Sequence, residues 1–167
     1  MLENLTQVSP LLFTFSSLII PMYTGNFKDL NLFVLLNISS VVNHALKEFV
    51  FKPLMGEKTH PIIGRGARPP GARGTGIFKS NKISTSYGMP SGHVQTASVF
   101  STYFILTRFH NLVKPYKEFV VGFLALITVL IAYGRVYLTK AHTVQQTIVG
   151  GLIGIALVHL YQSYVAF

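Results

Sequence analysis

Glu118-Phe-Val-Val-Gly-Phe-Leu-Ala-Leu-Ile-Thr-Val-Leu-Ile-Ala-Tyr-Gly-Arg-Val-Tyr137 is the stretch that decides the fold. Between Glu118 and Arg135 it carries no charge. A helix that crosses the hydrocarbon core of a bilayer needs about 20 largely apolar residues, and this run supplies them. Four further apolar segments flank it: Ser9 to Tyr23, Leu30 to Phe51, Ser91 to Phe109 and Thr143 to Val165. The first is short for a span. The third is studded with Ser, Thr, Gln and His, which suits a helix facing a bundle interior rather than lipid. Five such segments in 167 residues leave too little polar chain to cover them as the core of a soluble protein. The expectation is an all-α fold: an integral-membrane helical bundle of about five transmembrane helices, with residues 1–167 as a single domain.

The bulk composition agrees. Half the residues are hydrophobic and 11% are charged, against about 25% in soluble chains. There is no cysteine, so disulfides and thiolate metal sites are excluded. The first apolar run is preceded by Glu3 rather than by basic residues, so no cleavable signal peptide is expected. The net charge of +9 lies between the apolar segments. That distribution points to a basic membrane face that handles phosphates, not to a nucleic-acid partner.

The one long polar region runs from Lys52 to Tyr87 and is rich in glycine and proline. It is expected to be a loop with little regular structure, and loops of this length are usually functional or disordered. Lys52, Lys58, Arg65, Arg68, Arg73, Lys79 and Lys82 face a single Glu57 within it. Counting crossings gives the topology. With the N-terminus on one side, the second segment returns there and delivers the basic loop. The third starts there, and the fourth comes back with Arg135 and His142. A miscounted segment would split these groups across the bilayer. By the positive-inside rule that face, with about ten Lys and Arg against four, would be cytoplasmic. Charges that bind phosphate bias such a count, so sidedness stays open.

Three wordings meet at that face. They are Gly64-Arg65-Gly66-Ala67-Arg68-Pro69-Pro70, then Tyr87-Gly88-Met89-Pro90-Ser91-Gly92-His93, then Tyr133-Gly134-Arg135 through His142 with Gln146 one helical turn on. Paired histidines with several arginines suit phosphoryl transfer. One imidazole attacks phosphorus, a second protonates the leaving oxygen, and guanidinium forks hold the phosphate oxygens. Pro90-Ser91-Gly92-His93 opens a helix, whose N-terminus favours an anion. Gly92 permits close backbone approach, and the Ser91 hydroxyl can donate to an oxygen. Arg68 and Arg135 match phosphate bidentately and stay charged. Arg135 read by itself could also be a snorkelling anchor at a helix end. His44, His60, His110 and His159 lie outside the pattern and read as packing or loop residues. No His/Asp/Glu cluster has metal spacing, so no metal and no cofactor is expected.

These three blocks, across roughly Asn43 to Gly154, resemble the type 2 phosphatidic acid phosphatase superfamily of integral-membrane lipid phosphatases. The resemblance implies that His142 is the nucleophile, that His93 is the general acid, and that Arg68 and Arg135 bind the phosphate. Most of that family carries aspartate four residues after the nucleophile. Here Gln146 stands there, as in dolichyl-diphosphatase-like and glucose-6-phosphatase-like members, and the Gly88-Met89-Pro90 lead-in is closer to the former. Glutamine can accept the imidazole N–H but cannot stabilise the imidazolium as an anion would. The family lysine is displaced: its usual position is Pro61 here, leaving Lys47 and then Lys52 as candidates. Arg135 and His142 are one residue further apart than the family pattern, and Gly134 replaces its usual serine. The family usually has six spanning helices, one more than the five segments of this chain.

The implied activity is metal-independent hydrolysis of a lipid phosphate through a phosphohistidine. The partner is an amphiphile such as polyprenyl diphosphate, phosphatidate or phosphatidylglycerophosphate, presented among membrane lipids. The alternatives are a catalytically inactive member that binds phospholipid headgroups, and a non-lipid phosphatase of the glucose-6-phosphatase type. Oligomeric state cannot be read from the chain.

Overall fold

A computed structural model describes residues 2–25, 30–72, 84, 86–109 and 111–164. Arg73, Lys79, Lys82 and His110 lie outside them. Five long helices dominate: α1 (Leu2–Thr24), α2 (Leu30–Ala45), α3 (Gly92–Thr107), α4 (Tyr116–Tyr133) and α5 (Val144–Tyr164). Two continue into wide, π-helical turns, α2 through Leu46–Phe51 and α4 through Gly134–Leu138. Three spans, Leu2–Thr24, Tyr116–Leu138 and Val144–Tyr164, are long and apolar enough to cross a membrane. The protein is an integral-membrane helical bundle, and its outer surface is accordingly apolar. On α4, Phe119 is 75% exposed and Val129 61%; on α5, Leu152 is 61%.

The first helix is longer than its apolar run, reaching back to Leu2 instead of starting at Ser9. Its polar residues are satisfied within the helix. Thr6 Oγ1 donates to Glu3 O at 2.9 Å, Ser9 Oγ to Thr6 O at 3.1 Å and Thr14 Oγ1 to Pro10 O at 2.8 Å. Hydroxyls that bond back to the preceding turn are cheap to bury, so apolarity alone underestimates this helix.

Helix α3 is the central post, touching all four other long helices and most extensively α5. That contact depends on two glycines. A methyl group on Gly150 would lie 2.5 Å from Ser91 O, and one on Gly154 would lie 2.5 Å from Gln95 O. No side chain fits, and close approach of this kind drives helix association in membranes. The core below is Leu32, Leu35, Leu36, Val99, Tyr103 and Val158, with Phe13, Phe100 and Phe104 packed on it. Above it a buried polar network ties α2 to α3. Gln95 Nε2 donates to Ser39 O and Ser39 Oγ, both at 2.9 Å, and Asn43 Nδ2 donates to Gln95 Oε1 at 2.8 Å.

The long polar region holds more structure than its composition suggests. A four-residue helix, Lys52–Met55, ends at Gly56 with φ +51°. A minimal antiparallel pair follows, β1 (Thr59–His60) with β2 (Gly64–Arg65), in which Thr59 opposes Arg65 and His60 opposes Gly64. His60 Nδ1 accepts the Ile62 N–H at 3.2 Å and so organises the connecting turn, as a loop histidine.

Candidate active site

The candidate residues converge on one end of the bundle. His93 sits in the first turn of α3, with Ser91 as its N-cap. Arg135 lies in the wide turn that ends α4, Lys47 in the wide turn that ends α2, and His142 just ahead of α5. Arg68 comes from the polar loop and reaches His142, with Nη1 at 3.3 Å from Nε2. Lys47, Arg68 and Arg135 all act electrostatically on both His93 and His142. Three cations and two imidazoles therefore share one small volume. Lys47 and Arg135 are buried, at 8% and 0% exposure. Buried like charges repel, and an anion among them would offset that repulsion.

His142 is held from both sides. Its Nδ1 lies 3.0 Å from Gln146 Oε1. Gln146 Nε2 donates to three carbonyls, Arg65 O (2.8 Å), Gly66 O (3.2 Å) and Ala67 O (2.8 Å). Carbonyls only accept, so the amide cannot be reversed, and its oxygen must face the histidine. Nδ1 then carries the proton and Nε2 presents its lone pair toward Arg68. Burial, reinforced by the Arg68 and Arg135 charges, holds His142 well below the ordinary imidazole value. The ring is therefore neutral at pH 7, the state a nucleophile needs.

His93 Nε2 lies 3.1 Å from Gln7 O. The carbonyl accepts, so Nε2 carries a proton and Nδ1 is the nitrogen left for proton transfer. Ser91 contributes differently from a simple helix-end cradle, because its own N–H is used by Gln146 O at 3.0 Å. Its Oγ is buried and has no hydrogen-bond partner among the described residues. It is a donor ready for an oxygen. Gly92 is pressed against Asn43, whose Oδ1 would lie 3.2 Å from an added Cβ.

The wide turn at Gly134–Leu138 disposes of the extra residue between Arg135 and His142. A π-helical turn holds one more residue than an α-turn, and such turns recur at functional sites. Here Arg135 O accepts both the Ala141 N–H (3.0 Å) and the His142 N–H (3.2 Å), which closes the loop directly onto the arginine. Gly134 is glycine for a packing reason: Thr6 Cγ2 of α1 would lie 2.4 Å from a Cβ there.

The two lysine candidates separate. Lys47 points into the charge cluster. Lys52 is 57% exposed and paired with Glu48 at 2.8 Å. It borders a cavity of about 440 Å³ beside Arg68, Ser84 and Ser86. Arg65 pairs with Glu57 at 2.9 Å, while its backbone carbonyl serves Gln146.

Three contributors were not visible in the sequence. Ser86 holds Arg68 twice, by its carbonyl to Nε (2.9 Å) and by its Oγ to Nη2 (2.8 Å). Ala141 O takes Nη1 at 2.9 Å. Asn43 Nδ2 reaches Pro90 O at 3.4 Å beneath the Ser91 turn. Only Asn43 left a trace, standing one helical turn before Lys47.

With this geometry in view, comparison with known proteins gives a consistent result. Residues 29–167 match the model of the PAP2 superfamily. The chain belongs to that superfamily. It is 34% identical over 115 residues to a dolichyldiphosphatase of Saccharomyces cerevisiae, covering 66% of this chain and 48% of that protein. The chain thus spans about half the length of that curated relative. Its fold resembles the crystal structure of a transmembrane PAP2-type phosphatidylglycerolphosphate phosphatase from Bacillus subtilis. The TM-score is 0.64 at 20% identity, over 96% of this chain and 75% of the other.

Proposed function

We propose that this protein is a lipid phosphatase that works through a phosphohistidine, with a polyprenyl diphosphate as its preferred class of substrate. The observation that carries the reading is the orientation of His142. Gln146 fixes its proton on Nδ1, and its bare Nε2 faces a guanidinium 3.3 Å away. Such a ring is a poised nucleophile beside a phosphate-binding fork.

The chemistry balances with this chain's own groups. The substrate phosphate takes over the Arg68 Nη1 donor and so frees the His142 lone pair. Arg135, Lys47 and the Ser91 hydroxyl hold the remaining oxygens and the charge that grows on them. Nε2 attacks phosphorus and forms the N–P bond as the P–O bond to the leaving group breaks. The electron pair stays on the leaving oxygen, which receives the proton that His93 Nδ1 has taken up from solvent before the attack, while Nε2 keeps its own proton on Gln7 O. His93 then takes a proton from water as that water attacks the phosphohistidine, releasing inorganic phosphate and restoring His142. The wide cavity beside Arg68 gives a second phosphate room. The resemblance in sequence to a dolichyldiphosphatase supports the diphosphate class.

Phosphate release from lipid phosphates in detergent, with EDTA present, tests the reading. Release that His142→Ala abolishes, fastest with polyprenyl diphosphate, is the expected result. A folded wild-type protein that releases nothing from phosphatidate, phosphatidylglycerophosphate or polyprenyl diphosphate sinks it.

A further inference from the structure

Glutamine at position 146 does more than orient His142. Its amide has two ends, and each end is used. Oε1 accepts from His142 Nδ1 and, at 3.3 Å, from the Thr143 N–H. Nε2 donates into three successive carbonyls of the polar loop, Arg65, Gly66 and Ala67, immediately before Arg68. The side chain is 0% exposed, so water does not compete for these bonds. The loop is pressed onto it from the other side by Gly88. A methyl group there would lie 2.6 Å from Gln146 Nε2, 2.8 Å from Gly66 O and 2.9 Å from Arg68 N. Met89 N donates to Gly66 O at 2.9 Å and completes the clamp.

We propose that Gln146 is a positioning residue that docks the Arg68 loop onto the nucleophile, so that one amide sets both the His142 tautomer and the place of the phosphate-binding arginine. The inference rests on the reading of His142 as nucleophile and Arg68 as phosphate ligand. It explains the residue type. A carboxylate at 146 would orient the imidazole at least as well, but it would turn an acceptor oxygen toward three carbonyl oxygens. Only a side chain with an acceptor at one end and a donor at the other satisfies both neighbours. Such a bridge makes loop docking and nucleophile alignment a single cooperative event.

The decisive variant is Gln146→Glu, which keeps the shape and the acceptor and removes the donor. Simple orientation of His142 predicts no loss, or a gain. Docking predicts a KM about 10-fold or more higher in mixed micelles, with kcat changed less, because the lost bonds hold the phosphate site. It also predicts faster hydrogen exchange at the Met89 amide, with no change in the α3 core amides around Val99. Acidification should lower the KM of Gln146→Glu again, since a protonated carboxyl regains one donor, while wild type shows no such recovery. Gly88→Ala leaves the Gln146 side chain intact and pushes the loop off it. It should reproduce the KM and exchange effects without the recovery in acid. Unchanged Met89 exchange in Gln146→Glu overturns the proposal, as does a loss confined to kcat. If wild type releases no phosphate from any lipid, the phosphatase reading fails, and the exchange comparison still decides the docking role.

Discussion

The two ends of α3 are built on opposite principles. At its start, Ser91, His93 and Gln95 face hydrogen-bonding partners from α1, α2 and α5. At its finish, Phe100 stacks on Phe13 with centroids 4.5 Å apart, Phe104 stacks on Phe109, and Tyr103 meets Phe104 edge-on. The first end gathers two buried cations and a half-buried third, and orients two rings by directed bonds. The second contributes packing that has no direction. In lipid, unsatisfied polar groups are expensive, and the buried Ser91 Oγ, which has no hydrogen-bond partner among the described residues, lies at this polar end. One helix thus separates chemistry from stability along its own length. A change at the first end should cost turnover, and a change at the second should cost thermal stability.

The largest effect is expected from His142→Ala. Phosphate release should fall by at least about 10³-fold, because the proposed mechanism then lacks its bond-forming atom. Next comes Arg135→Ala or Arg68→Lys, each expected to cost about 10²-fold in kcat/KM, since one fork of charge stabilisation is removed. Residual activity near wild type in either variant would assign that arginine to the scaffold.

The pH profile sharpens the comparison further. His142 is held below the ordinary imidazole value of 6.5 by burial and then by the Arg68 and Arg135 charges. It therefore stays neutral and nucleophilic as pH falls through that value. The acid limb of kcat/KM should lie below it. Removing a like charge favours the protonated ring, so Arg68→Gln should move the acid limb to higher pH. The same sign holds for stability. The unfolded chain binds the proton more readily than buried His142, so this group destabilises the fold as pH drops below the unfolded value. An acid limb for wild type above 6.5 would contradict the electrostatic account.

The smallest effect on turnover is expected at the aromatic end. Leu35 is 1% exposed and packs against α3 and α5. Leu35→Ala should cost about 2–5 kcal/mol of stability through the cavity it leaves, read as a lower melting temperature in detergent. The kcat/KM of the folded protein should be unchanged. A loss of turnover without a loss of melting temperature would erase the division between the two ends.

Much of this architecture was legible in the sequence. Long uncharged runs predict the helices, because burial in lipid demands continuous apolarity. The residues bracketing those runs predict which groups meet at one face. His142 and Gln146 are four apart, a spacing that predicts their contact, although His142 stands two residues ahead of α5 rather than on it. Helix α1 was underestimated because its hydroxyls are satisfied internally and lower its hydropathy without exposing it. The sequence ranks Lys47 ahead of Lys52, but both stand at the end of the same apolar segment, and the reason for their separation is not written there. That separation turns on the wide turn at Leu46–Phe51, which rotates one lysine inward and leaves the other with Glu48.

What the sequence determined by itself is local and one-dimensional: a membrane bundle, its crossings, and the histidines and arginines gathered at one end. Only the tertiary structure decided how those groups are held. The Gln146 amide lies about 80 residues from the carbonyls it grips, and Arg68 lies 74 from His142. Ser86 reaches Arg68 only because the loop folds back on itself. Apolar periodicity records which residues leave water. The pairing of distant donors with distant acceptors is fixed by chain closure, and no local pattern in the sequence carries it.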